Sequence, residues 1–187
     1  MSLPPTFQVF PAEPAISPWV AAARLAAKAA LCDPKLAQWW RAEGTWFVGV
    51  DALPNDVDGA VARVRPEGRA TQAARQIADL PWHPMQLSCI RPNYPGTGAL
   101  DDPAQHRFRM LRDGAHLDGL LPVGPDRRRH LQEPHAYILG IALTRADADA
   151  SPLVGWDGSE KIIRDAFTAA FTGRAPEDWE SIDMTET

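Results

Sequence analysis

A histidine and an aspartate two residues apart stand between glycines in RDGAHLDGLLPVGP, residues 112–125 of a 187-residue chain that holds five histidines in all. If the segment is extended, side chains alternate, so His116 and Asp118 share a face while Leu117 takes the other. An imidazole nitrogen beside a carboxylate oxygen supplies two of the three donors of the 2-His-1-carboxylate arrangement, which holds non-haem Fe(II) and leaves positions open for co-substrates. Gly114 and Gly119 carry no side chain to block a ligand or a neighbouring strand. The same triplet also suits a plain hydrogen bond at a strand end, and the two readings stay open on these residues alone.

Other groups are candidates for chemistry. His135 opens the apolar run AYILGIAL, with Glu133 two residues before it. If neighbouring strands bring positions 116 and 135 together, His116, Asp118 and His135 form a self-contained triad; otherwise His135 stands at the rim of a cofactor pocket. His106 reads as an ordinary histidine of a strand. Arg164 and Arg174 have the planar fork that clamps carboxylates, but one falls on the polar side of a helix and the other follows its closing glycine, so both read as structural. NYPGTG, residues 93–98, lacks the Lys-Ser/Thr of a phosphate loop and reads as a loop. No nucleophile elbow of the G-x-S-x-G kind occurs.

These residues must be positioned by the elements around them, and 18 prolines cut the chain into short ones. WVAAARLAAKAALC predicts a helix with Ser17 as cap and Pro18 in its first turn, stopped by Asp33-Pro34. A second helix is expected over Lys35–Glu43, ended by Gly44, with Trp39 and Trp40 as packing residues. TQAARQIADL, residues 71–80, reads as a helix capped by Thr71. Strands are expected at 45–50, 86–90, 106–111, 115–119, 136–143 and 152–156. Ser159 can cap a last helix that carries Ile163, Phe167, Ala170 and Phe171 on one stripe and closes at Gly173. The pattern predicts α+β or a barrel decorated by helices, one domain over residues 1–187: a mainly helical flank over 1–80, strands over 81–158, and a helix and tail over 159–187.

A net charge of −5 argues against nucleic acid as the partner, and the run Asp126–His130 reads as a solvated turn or a salt-bridge donor. Cys32 and Cys89, at no metal-ligand spacing, are expected to be reduced core residues. With no apolar run of membrane-spanning length and no signal-peptide pattern, the expectation is a cytoplasmic protein away from membranes.

From about Gln86 to Phe171 the chain resembles the phytanoyl-CoA dioxygenase family of Fe(II)- and 2-oxoglutarate-dependent oxygenases. The likeness is carried by FRMLRDGAHLDGLLP, HAYILGIALTRAD and ASPLVGWDGSEKIIRDAF. It implies a double-stranded β-helix, the jelly-roll or cupin-like barrel, with His116 and Asp118 as iron ligands, 2-oxoglutarate as co-substrate and hydroxylation of a small molecule as the activity. Glu160 stands where the family has a histidine that is not an iron ligand. The family's second histidine ligand and its arginine for 2-oxoglutarate come from later strands, and His130 and His135 come too early to supply the histidine. The likeness therefore implies an incomplete barrel: a C-terminally shortened chain, one completed by a second copy in a homo-oligomer, or a rearranged protein that has left the chemistry. The alternative is a non-enzymatic jelly-roll module that binds a small molecule or another chain, with a vestigial metal site.

Overall fold

The computed structural model describes residues 6–96, 102–111 and 114–186, without the side chains of residues 105 and 109. Residues 97 and 98 of the glycine-rich loop and residues 112 and 113 ahead of His116 lie outside the described residues. The chain is mixed α+β with two small antiparallel sheets, and no barrel is present among the described residues. It divides into two compact units: residues 10–112 with 139–152, and residues 1–9 with 113–138 and 153–187.

The first unit is a helix on a three-stranded sheet. Helix α1 (Ser17–Cys32) follows a 3-10 turn at Pro14–Ile16. Trp19, Ala23, Ala27 and Ala30 fall on one stripe of α1 and are buried, the small alanines letting the helix lie close to its sheet. That sheet runs β1 (Trp40–Arg41), β2 (Trp46–Leu53) and β3 (Met85–Ile90), with pairs Trp40↔Phe47 and Phe47↔Cys89. Phe47, Leu53, Val61 and Leu87 meet α1 in the core. The buried Trp19 indole N–H is not left without a partner, since it donates to the Gly59 carbonyl at 2.8 Å. Helix α2 (Arg69–Ile77) is capped from a distance: Glu13 Oε1 accepts from the Arg69 amide at 2.6 Å, and Oε2 from Arg69 Nε at 3.1 Å. This replaces the expected Thr71 cap; Thr71 is buried inside the helix, its hydroxyl donating to Gly68 O.

Three local expectations for this unit are corrected. The segment read as a helix over Lys35–Glu43 is a 3-10 turn, Pro34–Trp39, followed by β1 and a tight turn in which Ala42 and Glu43 have φ of 48° and 54°. Trp39 and Trp40 nevertheless pack on the core, with Trp40 edge-on to Phe47 at 5.1 Å. HRFRML is not a strand but the end of helix α3 (Pro103–Leu111), whose start carries a signature the strand reading passed over. Asp102 Oδ1 accepts from the Ala104 amide at 3.1 Å, and Pro103 stands in the first turn. Both cysteines are free as expected, but Cys32 is exposed and only Cys89 packs against the core.

The second unit is built on a hairpin, β4 (Leu120–Val123) and β5 (Arg128–Leu131), paired from Leu120↔Leu131 to Val123↔Arg128. Of the arginines read as a solvated turn or salt-bridge donors, Arg128 and Arg129 are strand residues while Gly124–Arg127 make the turn, and Arg128 does form an ion pair, with Asp183. Helix α4 (Ser159–Phe171) runs much as its sequence predicts, although Ser159 is its first residue and makes no side-chain cap. Phe167 lies against Phe171, which stacks on Trp179 at 4.8 Å. The tail returns to the hairpin, where the buried Met184 donates its amide to Arg129 O at 2.7 Å. No helix among the described residues is long and apolar enough to cross a membrane.

AYILGIAL and PLVGW, expected as strands, run without ladder partners. Ile141 and Leu143, partly buried, pack on the core of the first unit through side chains rather than a ladder. Leu153 is 95% exposed.

Candidate metal centre

Residues 114–117 are irregular and Asp118-Gly119 is a turn, so the strand expected over 115–119 does not form. The side chains it was to bring together meet all the same. His116 Nε2 lies 3.2 Å from Asp118 Oδ1. The other ring nitrogen is 2.8 Å from the Gly114 carbonyl. A carbonyl can only accept, so Nδ1 carries a proton and donates, which in the neutral ring leaves the Nε2 lone pair facing the carboxylate. Two electron-rich atoms at that distance call for a cation between them. It is either the second ring proton, giving an imidazolium–carboxylate pair, or a metal ion.

What places this pair is Gly119. Its φ of +88° turns the chain from the His116 arm into β4. A Cβ here would stand 1.9 Å from the Glu133 carbonyl oxygen, so only hydrogen lets the two arms of the hairpin approach this closely. The Gly119 carbonyl in turn accepts from the Gln132 amide at 2.9 Å and the Glu133 amide at 3.3 Å. Beyond β5 the chain repeats the theme in reverse, with His135 Nε2 3.6 Å from Glu133 Oε2.

The pair opens to water rather than into a concave sheet: the side chains of His116 and Asp118 are 75% and 50% exposed. No group of three or more His, Cys, Asp or Glu side chains able to hold a metal ion occurs among the described residues. His106, expected on a strand, lies on α3 with Nδ1 buried and without a hydrogen-bond partner among the described residues. Arg164 is on α4 and Arg174 follows it, its amide donating to Phe171 O at 3.0 Å. Glu160, also on α4, accepts from the Thr6 hydroxyl, which holds its carboxyl below the ordinary range. Sequence reasoning read Gly114 and Gly119 as room for a ligand or a strand to approach; what it missed is that Gly119 clasps the returning arm at Glu133 and that the Gly114 carbonyl accepts from His116 Nδ1.

No family model, no curated protein and no solved structure matches this chain.

Proposed function

We propose that the chain is a phytanoyl-CoA dioxygenase-like, Fe(II)- and 2-oxoglutarate-dependent oxygenase that hydroxylates a small molecule, with His116 and Asp118 as metal ligands. One observation carries this: His116 offers Nε2 to Asp118 Oδ1 at 3.2 Å while Nδ1 is tied to Gly114 O. Metal-ligating histidines characteristically donate their other N–H to a carbonyl or carboxylate, which fixes tautomer and ring orientation. Two donors on adjacent corners of an octahedral cation with bonds of about 2.0–2.1 Å stand roughly 3 Å apart, close to the observed spacing. The residues present thus fit two positions of such a cation. When bound, the metal with 2-oxoglutarate supplies the oxygen-activating chemistry. The protein's own part is to orient the imidazole through Gly114, to hold the carboxylate beside it through Gly119, and to leave the remaining positions free. On this reading β4 and β5 belong to a double-stranded β-helix.

A second reading, a non-enzymatic binding module whose His116–Asp118 contact is an imidazolium–carboxylate pair, is favoured by the exposure of both side chains. Anaerobic titration with Fe(II) and 2-oxoglutarate separates the two. The oxygenase reading expects a weak visible charge-transfer band in the unaltered chain and none in His116→Ala. No band in the unaltered chain would leave the second reading standing.

A further inference from the structure

We propose that β3 is a self-pairing edge: two copies of this chain join antiparallel through it, about a two-fold axis at Ser88, into one continuous sheet. The strand order β1-β2-β3 leaves one side of β3 open. On the other side the Arg91 amide donates to Thr45 O at 2.8 Å, and backbone groups alternate along a strand, so Leu87 and Cys89 also face β2. Gln86, Ser88 and Ile90 therefore turn their N–H and carbonyl groups to the open edge. No backbone hydrogen bond among the described residues reaches them there. The side chains of Gln86 and Ser88 are exposed.

What singles out a second copy as the occupant is the symmetry of the sequence about Ser88. Natural edge strands are guarded by lysine, by inward-pointing charge or by a bulge. Met85–Ile90 carries no charged side chain, and Pro84 and Pro92 bound it at equal distances from Ser88. With Ser88 opposite Ser88, Gln86 of one copy meets Ile90 of the other, and every edge N–H finds a carbonyl. Sliding the register by one pair either way sets Ile90 against Pro84 or Gln86 against Pro92, and proline has no N–H to give. Arg91 stays clear of the axis. It stands opposite Met85 in this register, and its guanidinium lies over the Trp40 ring at 3.9 Å, on the strand at the far side of β2. On the core side Leu87 meets Cys89, another uncharged pair. An edge this short buries little area, so the dimer builds up with concentration rather than forming outright.

The test is sedimentation velocity on the full chain over a concentration series, with circular dichroism to show that each variant is folded. We expect a monomer–dimer equilibrium in the unaltered chain and in Ser88→Ala, which loses only the exposed bond from Trp46 Nε1 to Ser88 Oγ. Ser88→Pro removes an edge N–H that β2 does not use, and should weaken the dimer roughly tenfold or more. Ser88→Lys and Ser88→Glu, which set like charges face to face at the axis, should each weaken it a few-fold, and an equimolar mixture of the two should regain it. Hydrogen exchange gives a second readout: the Gln86, Ser88 and Ile90 amides should gain protection as concentration rises, while those of Leu87 and Cys89 stay protected throughout. A monomeric unaltered chain overturns the inference; slow exchange at the three edge amides in that monomer would mean that a segment of the same chain covers the edge. A dimer indifferent to Ser88→Pro, with no gain on mixing the Lys and Glu variants, overturns it as well and places the contact elsewhere. Neither outcome touches the His116–Asp118 reading.

Discussion

Replacing Gly119 by alanine tests whether the clasp, rather than the strand ladder, places the His116–Asp118 pair. At φ +88° an alanine carries the left-handed penalty, about 1–2 kcal/mol. Its Cβ would also lie 1.9 Å from Glu133 O, so the arms must part. Parting them breaks the bonds from the Gln132 and Glu133 amides to Gly119 O, each worth roughly 0.5–1.5 kcal/mol. The total expected is about 2–5 kcal/mol of local stability. Gly124 is the internal control, since it has φ +69° but open space around its Cβ position, and alanine there should cost only the conformational penalty. Amide hydrogen exchange over residues 120–131 reads the hairpin directly and avoids assuming that the two units unfold together. Exchange in Gly119→Ala should be roughly tenfold faster than in Gly124→Ala, since each 1.4 kcal/mol is a factor of ten. Equal exchange in the two variants would refute the clasp.

Two further outcomes follow from other parts of the molecule. Trp19→Phe keeps most of the buried ring but leaves the Gly59 carbonyl without its donor, and should cost about 1–3 kcal/mol in denaturant melts of the first unit; a loss under about 0.5 kcal/mol, the size of a surface change, would show that this hydrogen bond carries little. Asp183 accepts from the Thr185 hydroxyl and amide and pairs with Arg128, which together hold its carboxyl at about 2, below the ordinary 3.8. Because the folded value is depressed, its contribution is present above 3.8 and is lost as pH falls through about 2. Protection of the Met184 amide should therefore fall over that acid window in the unaltered chain and be weaker but flat across it in Asp183→Asn. An unchanged pH profile in the variant would remove Asp183 from the account.

The parts of the fold that were legible in the sequence are those whose periodicity agrees with local stop signals. The alanine-rich stripe of α1, the alternation in WFVGV and the apolar stripe of α4 each point one way at every level, and each forms, although the Ser159 cap expected for α4 does not. Apolar runs were poor guides to strands. A continuous run says that side chains will pack, not that the backbone will find a ladder, and AYILGIAL partly buries Ile141 and Leu143 on the core while forming no ladder among the described residues. HRFRML shows the opposite failure: alternation within six residues outweighed Asp102-Pro103, a helix start lying just before it. The hairpin of β4 and β5 was hidden because its strands carry a proline and two arginines, residues that read as turn and solvent.

The candidate site was legible in its residues and misread in its mechanism. Strand alternation predicts that His116 and Asp118 share a face, and they do meet, but through a turn. An irregular segment needs some other device to fix two side chains, and here it is supplied from outside the triplet. Gly114 O holds the ring from one side, and Gly119 accepts the returning arm on the other. A two-stranded hairpin is marginal by itself. The order of the pair therefore depends also on the tail, where Met184 is buried and its amide bonds to Arg129 O. Spacing in sequence can nominate a pair of donors, but whether they stay a coordination distance apart is decided by residues up to 66 positions away, from Asp118 to Met184, that carry no chemistry of their own.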